Sequence, residues 1–236
     1  MSHATSAPLL EAVSLYAGHG GVPVVHDLNL TVHPGEVVVL LGANGAGKST
    51  TLRTLAGAIP PVSGQVRWMG KPTRAPLHRR ARRGIGLVTE ERSVFMGLTA
   101  EANLRLGRGS VAKALELFPE LQGLLKRRAG LMSGGEQQIL TLARALAGEP
   151  AGLLADELSL GLAPLIVRRL LIAVRQAADR GVGVLLVEQH AAQALAIADR
   201  GYVFRRGRIV MSGTAAELKH NFDEIRNSYL AGTPAV

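Results

Sequence analysis

Cysteine is absent from this sequence of 236 residues, so disulfides and thiolate zinc sites are excluded. Aromatic residues are scarce, at 3%, which leaves few rings on which single-stranded nucleic acid could stack. The longest apolar runs, such as 37–41 and 184–187, are far shorter than the ~20 residues that span a bilayer. Residues 1–10 lack the basic start and long apolar segment of a secretory signal. We therefore expect a soluble, cytosolic protein.

The charge balance is basic, with a formal net charge of +9. Hydrophobic residues at 47% and charged residues at 19% indicate a globular chain, and its basic charge favours an anionic partner such as nucleotide, nucleic acid or a phospholipid surface. The densest basic segment contains Arg67, Lys71, Arg74, Arg79, Arg80, Arg82 and Arg83. We interpret this segment as a solvated helix face rather than a nucleic-acid site, although acidic lipid headgroups would suit the same charge.

One stretch fits the P-loop pattern G-x-x-x-x-G-K-[ST]. It consists of Gly42, Ala43, Asn44, Gly45, Ala46, Gly47, Lys48, Ser49 and Thr50. The β-branched run 36–41 before it predicts a buried strand, and 51–56 after it predicts a helix that ends at Gly57. In such a loop the backbone N–H groups surround phosphate oxygens, Lys48 supplies a charge and Ser49 offers a hydroxyl to Mg²⁺. This order favours a nucleoside triphosphate site over a glycine-rich turn that binds nothing.

The remaining pattern alternates strands and helices, which predicts an α/β fold with a parallel sheet. Strands are predicted at 9–16, 24–32, 65–69, 84–88 and 182–187. Residues 98–129 predict a mostly helical insertion, and further helices are predicted at 134–147, from Pro164 to near Gly181, and at 191–198. A hairpin around 205–207 and a tail helix that begins at Thr214 complete the chain.

Two further segments contain residues whose pattern indicates a functional role in addition to a local structural one. Ser133 and Glu136 form an S-x-x-E capping box, which does not explain Gly134 and Gly135 in the first turn, where each glycine costs about 1 kcal/mol relative to alanine. Bare N–H groups at a positive helix end suit an incoming phosphate.

The strand at 153–155 ends in Asp156 and Glu157, which beside a P-loop suggest one carboxylate for Mg²⁺ and one that activates water. The alternative is that both acids cap the next turn. His190 follows another strand, at the edge where open α/β sheets bind ligands.

With these motifs in this order, the sequence resembles ABC-transporter ATP-binding subunits from about Leu10 to Leu218. The stretches LLGANGAGKSTTLRTLAG, GIGLVTEERSVFMGLT, SGGEQQILTLARAL, DELSLGLAPLIV and LLVEQH are similar to the ATPase subunits of branched-chain amino-acid importers. The resemblance implies one ABC ATPase domain over 1–236. Its P-loop NTPase core would contain a mostly parallel sheet, joined by an N-terminal antiparallel β lobe and a helical subdomain at about 98–148.

The resemblance also implies roles for individual residues. ATP and Mg²⁺ would be bound by 42–50, with Glu157 as general base and Lys48 and His190 on the phosphates. Asp156, Ser49 and Glu90 would serve the metal, and Glu90 would also contact the membrane subunits. Ser133, Gly134, Gly135 and Glu136 would contact the γ-phosphate held by a second subunit, and 159–162 would cross to that partner. Adenine would stack on His19, with Tyr16 as the alternative.

The implied function is ATP hydrolysis that powers import of branched-chain or related amino acids or amides. The implied partners are hydrophobic permease subunits, a second ATPase subunit placed head to tail, and indirectly an extracytoplasmic substrate-binding protein. The ATPase dimer would be a homodimer or a heterodimer, and a heterodimer is expected because importers of this group typically use two different ATPase subunits. The protein would lie at the cytoplasmic face of the membrane. The alternatives are an exporter ATPase for lipid or polysaccharide, and a soluble ABC protein that acts on nucleic acid, although no nucleic-acid partner is expected.

Overall fold

The computed structural model describes residues 7–221; the expectations about residues 1–6 and the last residues of the domain lie outside this range. The strands are β1 Leu10–His19, β2 Val22–Val32, β3 Val37–Gly42, β4 Ser63–Trp68, β5 Lys71–Pro72, β6 Ile85–Val88, β7 Gly152–Asp156, β8 Gly183–Glu188, β9 Arg200–Arg205 and β10 Arg208–Thr214. The helices are α1 Lys48–Ala56, α2 Leu77–Arg82, α3 Ala100–Arg105, α4 Val111–Leu117, α5 Gly134–Ala147, α6 Pro164–Asp179, α7 Ala191–Ile197 and α8 Ala215–His220.

The larger sheet has the strand order β10-β9-β3-β8-β7-β6. Its pairs are parallel except for β9 with β10, which is antiparallel. Strand β3 lies between β9 and β8 and is buried along its whole length, as a central parallel strand covered on both faces must be. The α/β prediction with a mostly parallel sheet is therefore confirmed.

The two faces of this sheet pack against different layers. Val37, Val39 and Leu41 belong to the core shared with the helices after β6, whereas Val38 and Leu40 belong to the core shared with the N-terminal strands. This division follows directly from the two-residue period of a strand. The sheet carrying the P-loop is thus held between two hydrophobic cores.

The smaller sheet is antiparallel, with the order β2-β1-β4-β5. Register shifts along β1 mark irregularities in its pairing with β2 and β4, and such bulges increase the twist of a strand. The predicted N-terminal antiparallel lobe is therefore present, with its first two strands longer at their facing ends than the sequence pattern indicated.

Between β6 and β7 the chain is mostly helical, as predicted. It forms α3, α4, two 3₁₀ segments at Pro119–Leu124 and Ala129–Leu131, and then α5. The tail helix α8 begins with the expected capping box of Thr214 and Glu217. No helix within residues 7–221 has the length and apolar character needed to cross a bilayer.

The interpretation of the basic segment as a solvated helix face was only partly correct, because Arg67 and Lys71 lie in strands β4 and β5 and one arginine of α2 is buried. Arg79 and Arg82 on α2, and Arg83 directly after it, are exposed as expected of a solvated face, but Arg80 is 2% exposed. Its guanidinium donates to the carbonyls of Leu55 at 2.6 Å, Ala75 at 2.7 Å, Thr73 at 3.2 Å and Thr54 at 3.3 Å. Arg80 therefore satisfies carbonyls at the C-terminal end of the P-loop helix, where a cation is also favoured by the helix dipole.

Candidate nucleotide-binding and hydrolysis site

The candidate site lies at the carboxyl edge of the larger sheet. The P-loop follows β3, the loop with Glu157 follows β7, and the segment with Glu90 follows β6. Because these strands are parallel and lie in one sheet, their following loops meet at a single edge. The topology therefore brings three segments, far apart in sequence, around one cavity of about 400 Å³.

The cavity is lined mainly by P-loop residues. Its lining residues are His19, Val24, Asn44, Gly45, Gly47, Lys48, Ser49, Thr50, Glu90, Glu157 and Leu160. Gly45 and Gly47 have φ values of 76° and 103°, a left-handed backbone that glycine adopts without strain. A Cβ on Gly47 would also lie 3.1 Å from Val25 Cγ2. These glycines let the loop turn sharply into α1, whose first N–H groups have no intrahelical acceptor and suit an anion.

Lys48 is buried beneath this loop. Its Nζ donates to the carbonyl oxygens of Gly42 at 2.8 Å and Ala43 at 3.1 Å, and lies 3.4 Å from Glu157 Oε1. The ammonium group is thus fixed at the floor of the cavity by two loop carbonyls and one carboxylate. A charge held in this way is available to phosphate oxygens entering from the open side of the cavity.

Asp156 has the properties expected of a ligand for a hard cation. It is 2% exposed, and its Oδ1 has no hydrogen-bond partner among the described residues. Burial raises the pKa of Asp156, a hydrogen bond from the Ser49 hydroxyl lowers it, and the nearby carboxylates of Glu157 and Glu90 raise it. An unpaired buried oxygen beside a hydroxyl oxygen fits Mg²⁺, which prefers oxygen ligands.

The donor set is small. The described residues contain no group of three or more His, Cys, Asp or Glu side chains arranged to hold a metal. This agrees with the usual coordination of Mg²⁺ by one or two protein oxygens together with waters and substrate phosphates. Ser49 and Asp156 are the residues that would hold the ion directly, Glu90 on the same cavity wall stays a predicted further ligand, and the nucleotide would complete its coordination.

Glu157 has an unusual backbone conformation, with φ at 46°. Its N–H donates to the Val187 carbonyl at 2.9 Å, and the next side chain, Leu158, is buried in the core. A non-glycine residue in this region persists only where its surroundings hold it, at a cost of about 1–3 kcal/mol. The fold therefore holds the Glu157 side chain in the cavity wall beside Lys48.

The Ser133–Glu136 segment lies elsewhere. Ser133 Oγ accepts a hydrogen bond from the Glu136 N–H at 3.3 Å and Glu136 Oε2 accepts one from the Ser133 N–H at 2.6 Å, which forms the predicted capping box. None of its residues lines the cavity that contains the P-loop. A Cβ on Gly134 would lie 2.9 Å from Arg92 Nη1, and one on Gly135 would lie 3.2 Å from Ile166 Cγ1. Packing against Ile166 thus supplies one reason for Gly135, whereas the Arg92 guanidinium beside Gly134 is the end of a flexible side chain that can move aside.

The other predicted residues are placed as follows. Glu90 and His19 line the cavity, whereas Tyr16 does not and instead lies edge-on to His26 at 6.1 Å between ring centroids. His190 is exposed at the start of α7, makes no capping bond there, and does not line the cavity. The structure thus gathers the P-loop, Glu90, Asp156 and Glu157, while Ser133–Glu136 and His190 lie outside the cavity wall.

One buried carboxylate was missed by sequence reasoning. Glu188, the last residue of β8, is 2% exposed, and its oxygens accept hydrogen bonds from the Ser159 N–H at 3.1 Å and the Ser159 Oγ at 2.7 Å. Burial raises the pKa of Glu188, while the Ser159 hydrogen bonds lower it. The available signal was a carboxylate directly after a continuous apolar strand, the same pattern that identified Asp156.

The chain is similar to known transporter subunits along nearly its full length. A family model described as ABC transporter matches residues 25–159. The chain is 45% identical over 232 residues to the high-affinity branched-chain amino acid transport ATP-binding protein BraG of Pseudomonas aeruginosa, with 94% of this chain and 98% of that protein covered. It is 34% identical over 233 residues to the lipopolysaccharide export system ATP-binding protein LptB of Escherichia coli, with coverage of 94% and 96%.

The fold is also shared with a solved structure described as the ATP-binding subunit of an ABC transporter. The TM-score is 0.80 at 29% sequence identity, and the alignment covers 94% of this chain and 99% of the other. Because both chains are covered almost completely, the similarity includes the antiparallel lobe and the helical segment as well as the P-loop core.

Proposed function

The chain belongs to the ABC transporter ATP-binding family, and we propose that it hydrolyses ATP to power the import of branched-chain or related amino acids or amides. The observation that carries the proposal is the placement of Glu157 Oε1 3.4 Å from Lys48 Nζ in the wall of the P-loop cavity. A carboxylate next to the phosphate-binding lysine lies within reach of the water that attacks the γ-phosphate during hydrolysis. The 45% identity to BraG supports the choice of substrate class.

The roles of the residues follow from this arrangement. The N–H groups of the P-loop and the Lys48 ammonium bind the β- and γ-phosphates, and Ser49 and Asp156 hold Mg²⁺. When bound, Mg²⁺ neutralises charge on the phosphate oxygens. Glu157 accepts a proton from the water as it attacks the γ-phosphorus, and the bond from that phosphorus to the β–γ bridging oxygen breaks, which releases ADP and phosphate. His19, which lines the cavity together with Val24, stacks against the adenine ring.

A second subunit completes the site. Phosphoryl transfer needs charge stabilisation from several directions, and the N-terminus of α5 with Ser133, Gly134 and Gly135 does not line this chain's own cavity. In a head-to-tail dimer that helix end faces the γ-phosphate held by the partner. Closure upon ATP binding and opening after hydrolysis then drive the permease.

The membrane subunits dock on the side of the helical segment. A groove of about 180 Å³ lies between β6, α2 and α5, with Ile85, Arg108 and Arg144 in its wall. Arg144 and Thr141 donate to the carbonyls of Ser93 and Arg92, in the segment that follows Glu90. Phe95 and Met96, 58% and 51% exposed, offer apolar surface on that segment. A permease loop bound here would be coupled to Glu90 in the nucleotide cavity, at the cytoplasmic face of the membrane.

The test is ATP-driven dimerisation of the Glu157→Gln variant, followed by size-exclusion chromatography with Mg²⁺ and ATP. Without the base, closed dimers should accumulate, whereas the wild-type chain should run as a monomer. The Lys113→Ala variant, changed at a half-buried surface lysine that pairs with Glu116 and Glu149 and does not line the cavity, is the control and should behave as wild type. If Glu157→Gln hydrolyses ATP at the wild-type rate, Glu157 is not the base.

The alternatives differ in partner and cargo. The similarity to LptB makes export of a lipid or polysaccharide the second candidate. Uptake of labelled leucine, measured before and after deletion of the gene, separates the two functions. Deletion lowers uptake only if the protein belongs to an importer. Co-purification with a hydrophobic membrane subunit would support transport, whereas salt-sensitive binding to DNA or RNA would support a soluble nucleic-acid role.

A further inference from the structure

The loop that carries Glu157 is fixed to strand β8 at two points. The Glu157 N–H donates to the Val187 carbonyl at 2.9 Å, and two residues later Ser159 donates both its N–H and its hydroxyl to Glu188. Glu157, with its left-handed backbone, thus makes the first of these contacts itself, and the second is made by Ser159, two residues further along the chain.

Glu188 makes the second point of attachment strong. Its carboxylate is almost fully buried, and no ion pair joins it to a cation within residues 7–221. A buried polar group that loses its hydrogen bonds incurs the full cost of its desolvation, so Glu188 depends on the donors it has. Both direct donors come from Ser159, so this serine and this carboxylate depend on each other.

The location of Glu188 connects this contact to the reaction. Leu41, immediately before the P-loop, is its partner in the parallel pairing of β3 and β8. Leu160, the residue after Ser159, lines the nucleotide cavity. The contact between Glu188 and Ser159 therefore joins the strand next to the P-loop to the first residue of the proposed partner-facing loop, two residues after the proposed base.

We propose that Glu188 is a positioning residue for Glu157, which it holds in its left-handed conformation through the two hydrogen bonds from Ser159. This inference rests on the proposed role of Glu157 as general base. Loss of either side of the contact leaves the ATP-binding groups of the P-loop in place but lets the Glu157 carboxylate leave the position from which it activates water. The effect should therefore fall on kcat rather than on ATP affinity, because a small displacement of a catalytic group is costly.

The test compares Glu188→Gln, Ser159→Ala and the double variant of the full chain. Each single variant should lower kcat for ATP hydrolysis about 10- to 100-fold and change the dissociation constant for ATP less than threefold. Because Glu188→Gln and Ser159→Ala break the same contact, the double variant should be no slower than the slower of the two single variants. Multiplicative losses, or a kcat within twofold of wild type in both single variants, would overturn the proposal.

A second cycle distinguishes this inference from the proposed function. In a Glu157→Gln background, Glu188→Gln should cause no further loss of residual hydrolysis, because the residue through which it acts is already inactive. A further loss would show that Glu188 acts by another route, while the base assignment stands. If Glu157→Gln alone retains wild-type hydrolysis, the proposed function fails, whatever Glu188 does.

If the chain alone hydrolyses ATP too slowly for kcat to be compared, amide hydrogen exchange provides a test that does not depend on activity. Amide hydrogen exchange of residues 157–162 should be faster in Glu188→Gln and in Ser159→Ala than in wild type, because local opening no longer breaks the buried hydrogen bonds. Exchange in the P-loop helix α1 should be unchanged and serves as the internal control. Equal protection of 157–162 in all three proteins would refute the positioning role.

Discussion

Lys48 Nζ lies 3.4 Å from Glu157 Oε1, and both side chains are largely buried in the wall of one cavity. The two residues come from segments more than a hundred positions apart, after β3 and β7, which are separated in the sheet by β8 alone. The Glu157 carboxylate partly neutralises the positive charge of Lys48, which would otherwise act in full on a bound phosphate. Nucleotide binding and the state of the proposed base are therefore coupled through this pair.

The first prediction concerns the lysine. Lys48→Ala removes the only ammonium group in the described wall of the cavity and leaves Glu157 without its cation, so ATP binding should weaken at least about tenfold. Calorimetric titration with Mg²⁺ and ATP measures the change. A dissociation constant within threefold of wild type would contradict a phosphate-binding role for Lys48.

The second prediction concerns the affinity of Glu157→Gln. Neutralising this carboxylate frees Lys48 from its ion pair and removes a negative charge that repels phosphate. The variant should bind ATP at least as tightly as wild type, while hydrolysis falls about 100-fold or more. Fluorescent-nucleotide titration combined with phosphate release separates the two effects. Weaker ATP binding would show that Glu157 supports the cavity structurally.

The third prediction tests His190 against its neighbour Gln189. His190 is exposed and lies outside the described cavity wall, so a role on the γ-phosphate requires that α7 approach the site when the dimer closes. His190→Ala should lower hydrolysis about tenfold or more, and Gln189→Ala is the matched control. The opposite result, with activity lost only in Gln189→Ala, would transfer the role to Gln189.

The fourth prediction concerns the buried Arg80. Arg80→Met keeps much of the side-chain volume but removes the guanidinium donor from four backbone carbonyls, of which only Thr54 keeps another donor within residues 7–221, the Gly57 N–H at 3.0 Å. We expect a loss of about 2–4 kcal/mol in the free energy of unfolding, measured by urea denaturation. Arg82→Met, at an exposed position on the same helix, should change it by less than about 0.5 kcal/mol. Equal effects at both positions would refute the bonding role of Arg80.

The fifth prediction concerns Asp156 in the absence of nucleotide and Mg²⁺. Because burial raises its pKa above the ordinary value of 3.8, the folded state binds this proton more tightly than the unfolded state. Its contribution to stability is present below the unfolded pKa and is lost as pH rises through the folded pKa. Asp156→Asn should therefore be more stable than wild type at pH 7, by a few degrees in Tm.

The pH dependence provides the check on Asp156. The difference in Tm between Asp156→Asn and wild type should shrink as pH falls toward 4, because the wild-type carboxyl becomes protonated. Thermal unfolding in EDTA over this range measures it. A variant less stable than wild type at pH 7 would mean that the charged form of Asp156 is favoured in the fold.

Local sequence was enough to place the elements of the site. The P-loop, the strand before Asp156 and the capping box at Ser133 appear where the pattern predicted them, since each depends on neighbours within a few residues. The buried state of Arg80 was not predictable in this way. Its acceptors lie at 54, 55, 73 and 75, and nothing in the run of basic residues distinguishes it from Arg79 or Arg82.

The sequence by itself determined the α/β class, the phosphate-binding loop and the residue types available to it, because hydrophobic period and glycine spacing are properties of short segments. Only the tertiary structure decided which of these groups meet. It joined Lys48 to Glu157 and Ser159 to Glu188, and it left Ser133 outside the cavity. The physical reason is that strand order and burial are set by the packing of the whole sheet between its two cores, and this packing depends on contacts between residues distant in sequence.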